Sequence, residues 1–169
     1  MHHFVLTSRW RVDADADAVW RLVTNIEAWP RWWRHVRHAR IVERGGADHV
    51  GRVVALEWAT AMPYRLHLRV TTTRIERGRE IEGRTEGDLR GRGLWIIEAA
   101  GPNATDITYR WDMHLHRPWM RRFAFVMRPL FEWSHFVVMR ECALGMGRAL
   151  GGAVRLVSEW SGGVTRLPA

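Results

Sequence analysis

The sequence predicts a single α+β domain, in which a seven-stranded, curved antiparallel sheet lies around one long C-terminal helix and two short helices follow the first strand. Three observations predict it. Short segments of alternating apolar and polar residues, separated by turn residues, fill most of the chain from residue 36 to residue 115. Most of these segments have one apolar and one charged face, so the sheet needs a cover. Past Arg117 the apolar spacing becomes helical and stays so to about Leu150, and no other element is long enough to supply that cover. The 169 residues suit one domain with a full core, assigned to residues 1–152, with 153–169 as a C-terminal tail.

Phe4, Leu6, Ser8, Trp10 and Val12 alternate as the inner face of the first strand. Acidic residues at 13–17 supply cap chemistry, and Ala18, Val19, Leu22 and Val23 follow at helical spacing. Pro30 interrupts the next helical stretch, residues 25–33, which favours two short helices over one long one. Six strands come next, divided by Gly45-Gly46, Met62-Pro63, Arg77-Gly78, Gly87-Asp88 and Gly101-Pro102-Asn103. Their spacing is short enough to require antiparallel hairpins. Val54, Leu56 and Trp58 form one inward set, Tyr64, Leu66, Leu68 and Val70 a second, and Ile107, Tyr109, Trp111 and Met113 a third. Pro118 suits a first helical position, and Pro129 is expected to start a second helical stretch ending before Gly151-Gly152.

All 26 basic residues are arginine. Without lysine, Schiff-base and P-loop chemistry are excluded. The net charge of +8 is spread among interleaved acidic residues, so no nucleic acid is expected as a partner. One cysteine, Cys142, precludes an internal disulfide. No apolar leader opens the chain and no long apolar run interrupts it. A cytoplasmic protein is expected, as a monomer or homodimer.

From about Trp10 to Gly151 the chain resembles the START-like (SRPBCC) superfamily, specifically its bacterial polyketide cyclase/dehydrase branch. The resemblance is carried by Trp10-Arg11-Val12-Asp13 with Ala18-Val19-Trp20, by Ile26 to Trp33 around Trp29-Pro30, by Gly87 to Trp95, and by Arg117-Pro118-Trp119 with Arg128-Pro129-Leu130-Phe131 and Trp133-Ser134-His135. It implies a helix-grip fold with a deep cavity between sheet and helix. It implies either ligand carriage or cyclase chemistry and lends no catalytic motif.

On that fold the expected ligand-binding residues are Trp58, Tyr64, Leu66, Thr85, Trp95, Tyr109 and Trp111 from the strands, with Phe131, His135 and Val138 from the helix. Inward-facing Gly83, Gly87, Gly91 and Gly93 either widen the cavity or permit coiling of the sheet. His135, on a helical stripe with Phe131, Ser134, Val138, Cys142, Gly145 and Ala149, is the one group there that titrates near neutrality. His135 and Tyr109 are therefore the candidate catalytic pair if a poly-β-ketone is cyclised and dehydrated; otherwise the chain only binds a small hydrophobic molecule. His35 with His38, and His114 with His116, lack a completing ligand, so no metal and no other cofactor is expected. Residues 29–35 and 117–123, rich in Trp and Arg, suit either a membrane surface or internal packing.

Overall fold

A computed structural model describes residues 3–61, 63–115 and 118–162, with Leu115 and residues 118–127 as backbone alone. β1 (His3–Val12) leads into α1 (Ala16–Thr24), a single 3₁₀ turn (Ile26–Ala28) and α2 (Trp29–Trp32). β2 (Val36–Glu43), β3 (Val53–Ala59), β4 (Arg65–Glu76), β5 (Glu80–Gly87), β6 (Leu89–Gly101) and β7 (Ala104–Leu115) follow, then α3 (Pro118–Leu150) and β8 (Val154–Ser161). The sheet order is β2-β3-β4-β5-β6-β7-β1-β8. All neighbours run antiparallel. The topology is the helix-grip arrangement that the strand pattern predicts.

Two expectations change. The sheet has eight strands, not seven, because residues placed in the tail form β8 along the free edge of β1, from Leu6↔Ser161 to Val12↔Val154. Arg140 on α3 pins this strand through three bonds to the Glu159 carboxylate, at 3.1, 3.0 and 2.5 Å. The rest of the tail lies outside the described residues. Second, α3 continues through Pro129 instead of restarting there. A proline removes only its own N–H from the ladder, and Arg128, Pro129 and Leu130 are on the exposed side.

Local chemistry fixes the chain entry to the first helix. The Asp15 carboxylate accepts from the Ala18 N–H at 2.8 Å, capping α1, whose Val19 and Val23 face the core. Trp29, Trp32 and Trp33 are all buried, and Trp33 donates its indole N–H to the Val138 carbonyl of α3 at 3.1 Å. These three tryptophans are thus core, while Arg31 and Arg34 are exposed. Internal packing accounts for the tryptophans of residues 29–35; the side chains of 117–123 lie outside the described residues. On the outer face, Arg11 holds Asp106 with bonds of 2.6 and 2.8 Å, and this keeps the carboxyl below the usual aspartate range.

α3 comes closest to α2 at Gly145, where a Cβ would lie 2.0 Å from the Trp32 carbonyl oxygen. Gly145→Ala therefore sets two effects against each other. Helix propensity favours alanine by about 1 kcal/mol. A clash with backbone costs about 1–3 kcal/mol in a packed core, so the variant is expected to be less stable by up to about 2 kcal/mol. Urea unfolding measures this; equal or greater stability would show that the contact does not set the helix spacing.

Candidate functional site

The hollow beneath the helices is not one deep cavity. It is two chambers, one of about 70 Å³ between the sheet and α3 and one of about 50 Å³ between the sheet and the segment from α1 to α2, and Trp58, Tyr109 and Trp111 line both. Trp58 and Trp111 lie 6.2 Å apart, Trp95 and Tyr109 lie 4.7 Å apart, and Trp33 meets Trp58 edge to face at 4.8 Å. These rings form a partition across the hollow. The two chambers have room for roughly three to seven waters each, so only a small molecule fits either one while the rings stay in place.

The inward glycines explain part of this. A Cβ on Gly93 would meet the Tyr109 hydroxyl oxygen at 2.8 Å, and one on Gly83 would meet Val70 at the same distance. Neighbouring side chains have taken the volume these glycines leave. Gly87, at φ 114°, adopts a backbone that favours glycine, which supports the coiling role instead.

The outer chamber lies where β1, β4 and β6 begin and β3 and β7 end. Of the residues expected from the sequence, Trp58, Tyr64, Leu66, Tyr109, Trp111, Phe131, His135 and Val138 line it. Thr85 and Trp95 line the inner chamber, again with Trp58, Tyr109 and Trp111. The fold thus brings all ten to one hollow. Phe4, Leu89, Met113 and Met139 also line the outer chamber. Phe4 and Met113 are readable from strand phase; Met139 lies off the helical stripe.

His135 is buried, its ring stacked on Trp111 with centroids 4.9 Å apart and planes at 18°. Burial pushes its pKa down to about 3, so the imidazole is neutral across the physiological range. Its Nε2 and the Trp58 Nε1 find no protein hydrogen-bond partner. The neighbouring Ser134 hydroxyl accepts from the Ala61 N–H at 3.2 Å, tying the β3–β4 connection to α3 beside the chamber. Burial also raises the Tyr109 hydroxyl, with the Cys142 thiol adding to the shift, and raises Cys142 itself. Neither Cys142 nor Tyr109 is therefore ionised near neutral pH. Of the predicted helical stripe, Phe131, Ser134, His135, Val138, Cys142 and Gly145 are buried, and Ala149 is exposed.

The inner chamber contains one group that the sequence reading missed. Arg52 is 6% exposed and lines this chamber beside Thr24, Thr72 and Thr85. Its signal was its phase: it lies two residues before Val54, on the same inward alternation as Leu56 and Trp58.

At the far end of β1 and β7, His3, Asp112 and His114 place their ligand atoms within 4.8 Å of one another. Spacing had not assembled this trio, because His3 comes from another strand. The His3 ring is already bonded to Asp112 at 2.6 Å, and Arg92 pairs with Asp112 in register across β6. His35 is engaged by the Ala59 carbonyl at 2.7 Å, while His38 is exposed. Among the described residues no helix is long and apolar enough to cross a membrane.

A sheet gripping a long helix over an apolar hollow defines the START-like class of helix-grip domains. The chain belongs to the polyketide cyclase / dehydrase and lipid transport family, which matches residues 3–146. Among solved structures it is similar to a START superfamily protein from Mycobacterium smegmatis, at 15% identity over 88% of this chain and 97% of that one, with a TM-score of 0.73. It is similar to the Zhui aromatase/cyclase of a Streptomyces species at 15% identity, over 89% and 94% of the two chains, with a TM-score of 0.74. A major latex-like protein from Panax ginseng gives 11% identity, 89% and 99% coverage, and a TM-score of 0.67. At these identities the likeness shows the fold. No curated protein matches in sequence.

Proposed function

We propose that this chain binds a small, mainly apolar molecule between the sheet and α3 and acts as a binding or carrier protein. The observation that carries the reading is the outer chamber: its wall is apolar, yet Trp58 Nε1 and His135 Nε2 are buried there without partners. Buried polar groups are normally paired, and leaving one unmade costs about 1–3 kcal/mol. Carbonyl or hydroxyl groups on a bound molecule can pair with them, while its apolar body fills the chamber. Family membership supports the same reading. So does the partition, whose rings offer flat contact area.

Native mass spectrometry of the purified protein tests it, together with calorimetric titration of 4-ethylphenol, an apolar ring with one hydroxyl. A co-purified adduct lost on denaturation, or saturable binding weakened about tenfold by His135→Ala, is expected. Neither adduct nor binding overturns the reading.

Cyclase chemistry is the second reading, favoured by the family and by the placement of Tyr109 and His135 on one chamber. Both groups are neutral near pH 7, and an imidazole whose conjugate acid ionises near 3 is a weak base. These two groups therefore orient a polyketone more readily than they deprotonate it. Unchanged cyclised product from His135→Ala removes the proton-transfer role.

A further inference from the structure

We infer that the inner chamber holds a monocarboxylate headgroup on Arg52, so that the bound molecule is an apolar acid. This rests on the ligand-binding reading above and names the class of ligand. Arg52 is the last residue of the nine-residue β2–β3 connection and continues the inward phase of β3. Its backbone N–H donates to the His49 carbonyl at 3.1 Å, and its carbonyl accepts from the Thr72 N–H at 2.9 Å. Both bonds hold the residue at the edge of the sheet with its side chain lining the chamber.

The guanidinium is poorly served there. One Nη donates to the Thr24 carbonyl at the limiting distance of 3.5 Å, and Nε has no partner. Arg52 makes no ion pair among the described residues. Glu27 acts on it only at longer range and is itself exposed. Other arginines on the outer face of the sheet bond carboxylates directly, as Arg9 and Arg11 do with Asp106. A buried cation without a counter-ion is costly, and arginine stays protonated instead of shedding its charge.

Charge and shape select the occupant. One positive charge is balanced by one negative charge, so a monoanion neutralises the chamber where a phosphate dianion leaves an excess. The planar fork of Nε and Nη matches the two oxygens of a carboxylate. Thr72 and Thr85 line the same chamber, whose roughly 50 Å³ takes the carboxylate and first carbons against Ile81, Leu68 and Val54, so that a longer chain passes the Trp58, Tyr109 and Trp111 rings into the outer chamber. Thr24 also borders a groove of about 480 Å³ on the outer surface, with Asn25, Asp48 and His49, so this end of the hollow lies next to solvent.

Calorimetric titration with octanoate and its neutral analogue octanamide tests the inference. The wild-type protein is expected to bind octanoate at least about tenfold more tightly, a difference of about 1.4 kcal/mol. Arg52→Met is expected to bind both equally, and Arg52→Lys to keep a reduced preference for the acid. Equal affinities in the wild type overturn the carboxylate site and leave the cavity reading standing, whether or not either variant folds. Preference for octanoate retained in Arg52→Met also overturns it, since the charge would lie elsewhere. Binding of neither compound overturns the inference, and the 4-ethylphenol titration then decides separately whether the cavity binds at all.

Discussion

Replacing Trp33 with alanine is expected to lower stability by about 3–5 kcal/mol, a large part of the ~5–15 kcal/mol that holds a domain of this kind together. Trp33 is wholly buried and meets four other tryptophans, Trp29, Trp32, Trp58 and Trp95, at centroid distances of 4.8 to 6.1 Å. Its truncation opens a void where α2, α3 and the sheet converge, and removes the N–H bond to Val138. For a chain of this length the melting temperature should fall by roughly 6–20 °C. Trp33→Phe keeps most of the packing and should lie between the two. A shift below about 3 °C for Trp33→Ala would mean that the aromatic cluster relaxes to fill the gap.

His135 sets the second large effect, through pH. Its folded pKa is depressed from 6.5 to about 3 because burial penalises the charged ring. The unfolded chain therefore takes up a proton that the folded protein refuses between those values. The stability associated with the neutral ring is fully present above pH 6.5 and is lost as pH falls towards 3. The slope approaches about 1.4 kcal/mol per pH unit and the total about 4–5 kcal/mol. Asp106, whose carboxyl is depressed by Arg11, adds to acid sensitivity in the same direction. Comparison with His135→Phe isolates the histidine, because every other group is common to both proteins. Urea unfolding from pH 7 to pH 3.5 should show the two stability curves converging or crossing as the wild type loses ground. Parallel curves would place the ring in contact with water.

The strand phases made the fold readable, since alternation such as Tyr64, Leu66, Leu68 directly reports which side is covered. β8 was not readable from Val154-Arg155-Leu156-Val157-Ser158-Glu159-Trp160-Ser161, where apolar and polar residues do not alternate. The strand lies at a sheet edge, with Leu156, Val157 and Trp160 exposed, so burial imposes no pattern on it. The ten expected lining residues follow from face assignments alone. Cavity size does not, because it depends on where large rings settle: Gly93 looked like empty space until Tyr109 was seen lying over it. Arg52 was hidden by number, one of 26 arginines scattered through every segment. Only its position in the inward phase distinguished it. The depressed ionisation of His135 was equally out of reach, because solvation is set by neighbours distant in the chain.

For a protein that binds an apolar guest as proposed, the ring partition has a consequence for timing. A molecule long enough to occupy both compartments threads past Trp111 and Tyr109, and Trp111 cannot swing without breaking its stack on His135. Dissociation of such a guest is then limited by concerted reorientation of packed aromatics, slower than the rotamer hops of exposed side chains. Residence time would be decoupled from equilibrium strength: a weakly held long guest leaves slowly, and a tightly held short one, confined to a single compartment, leaves without waiting for the rings.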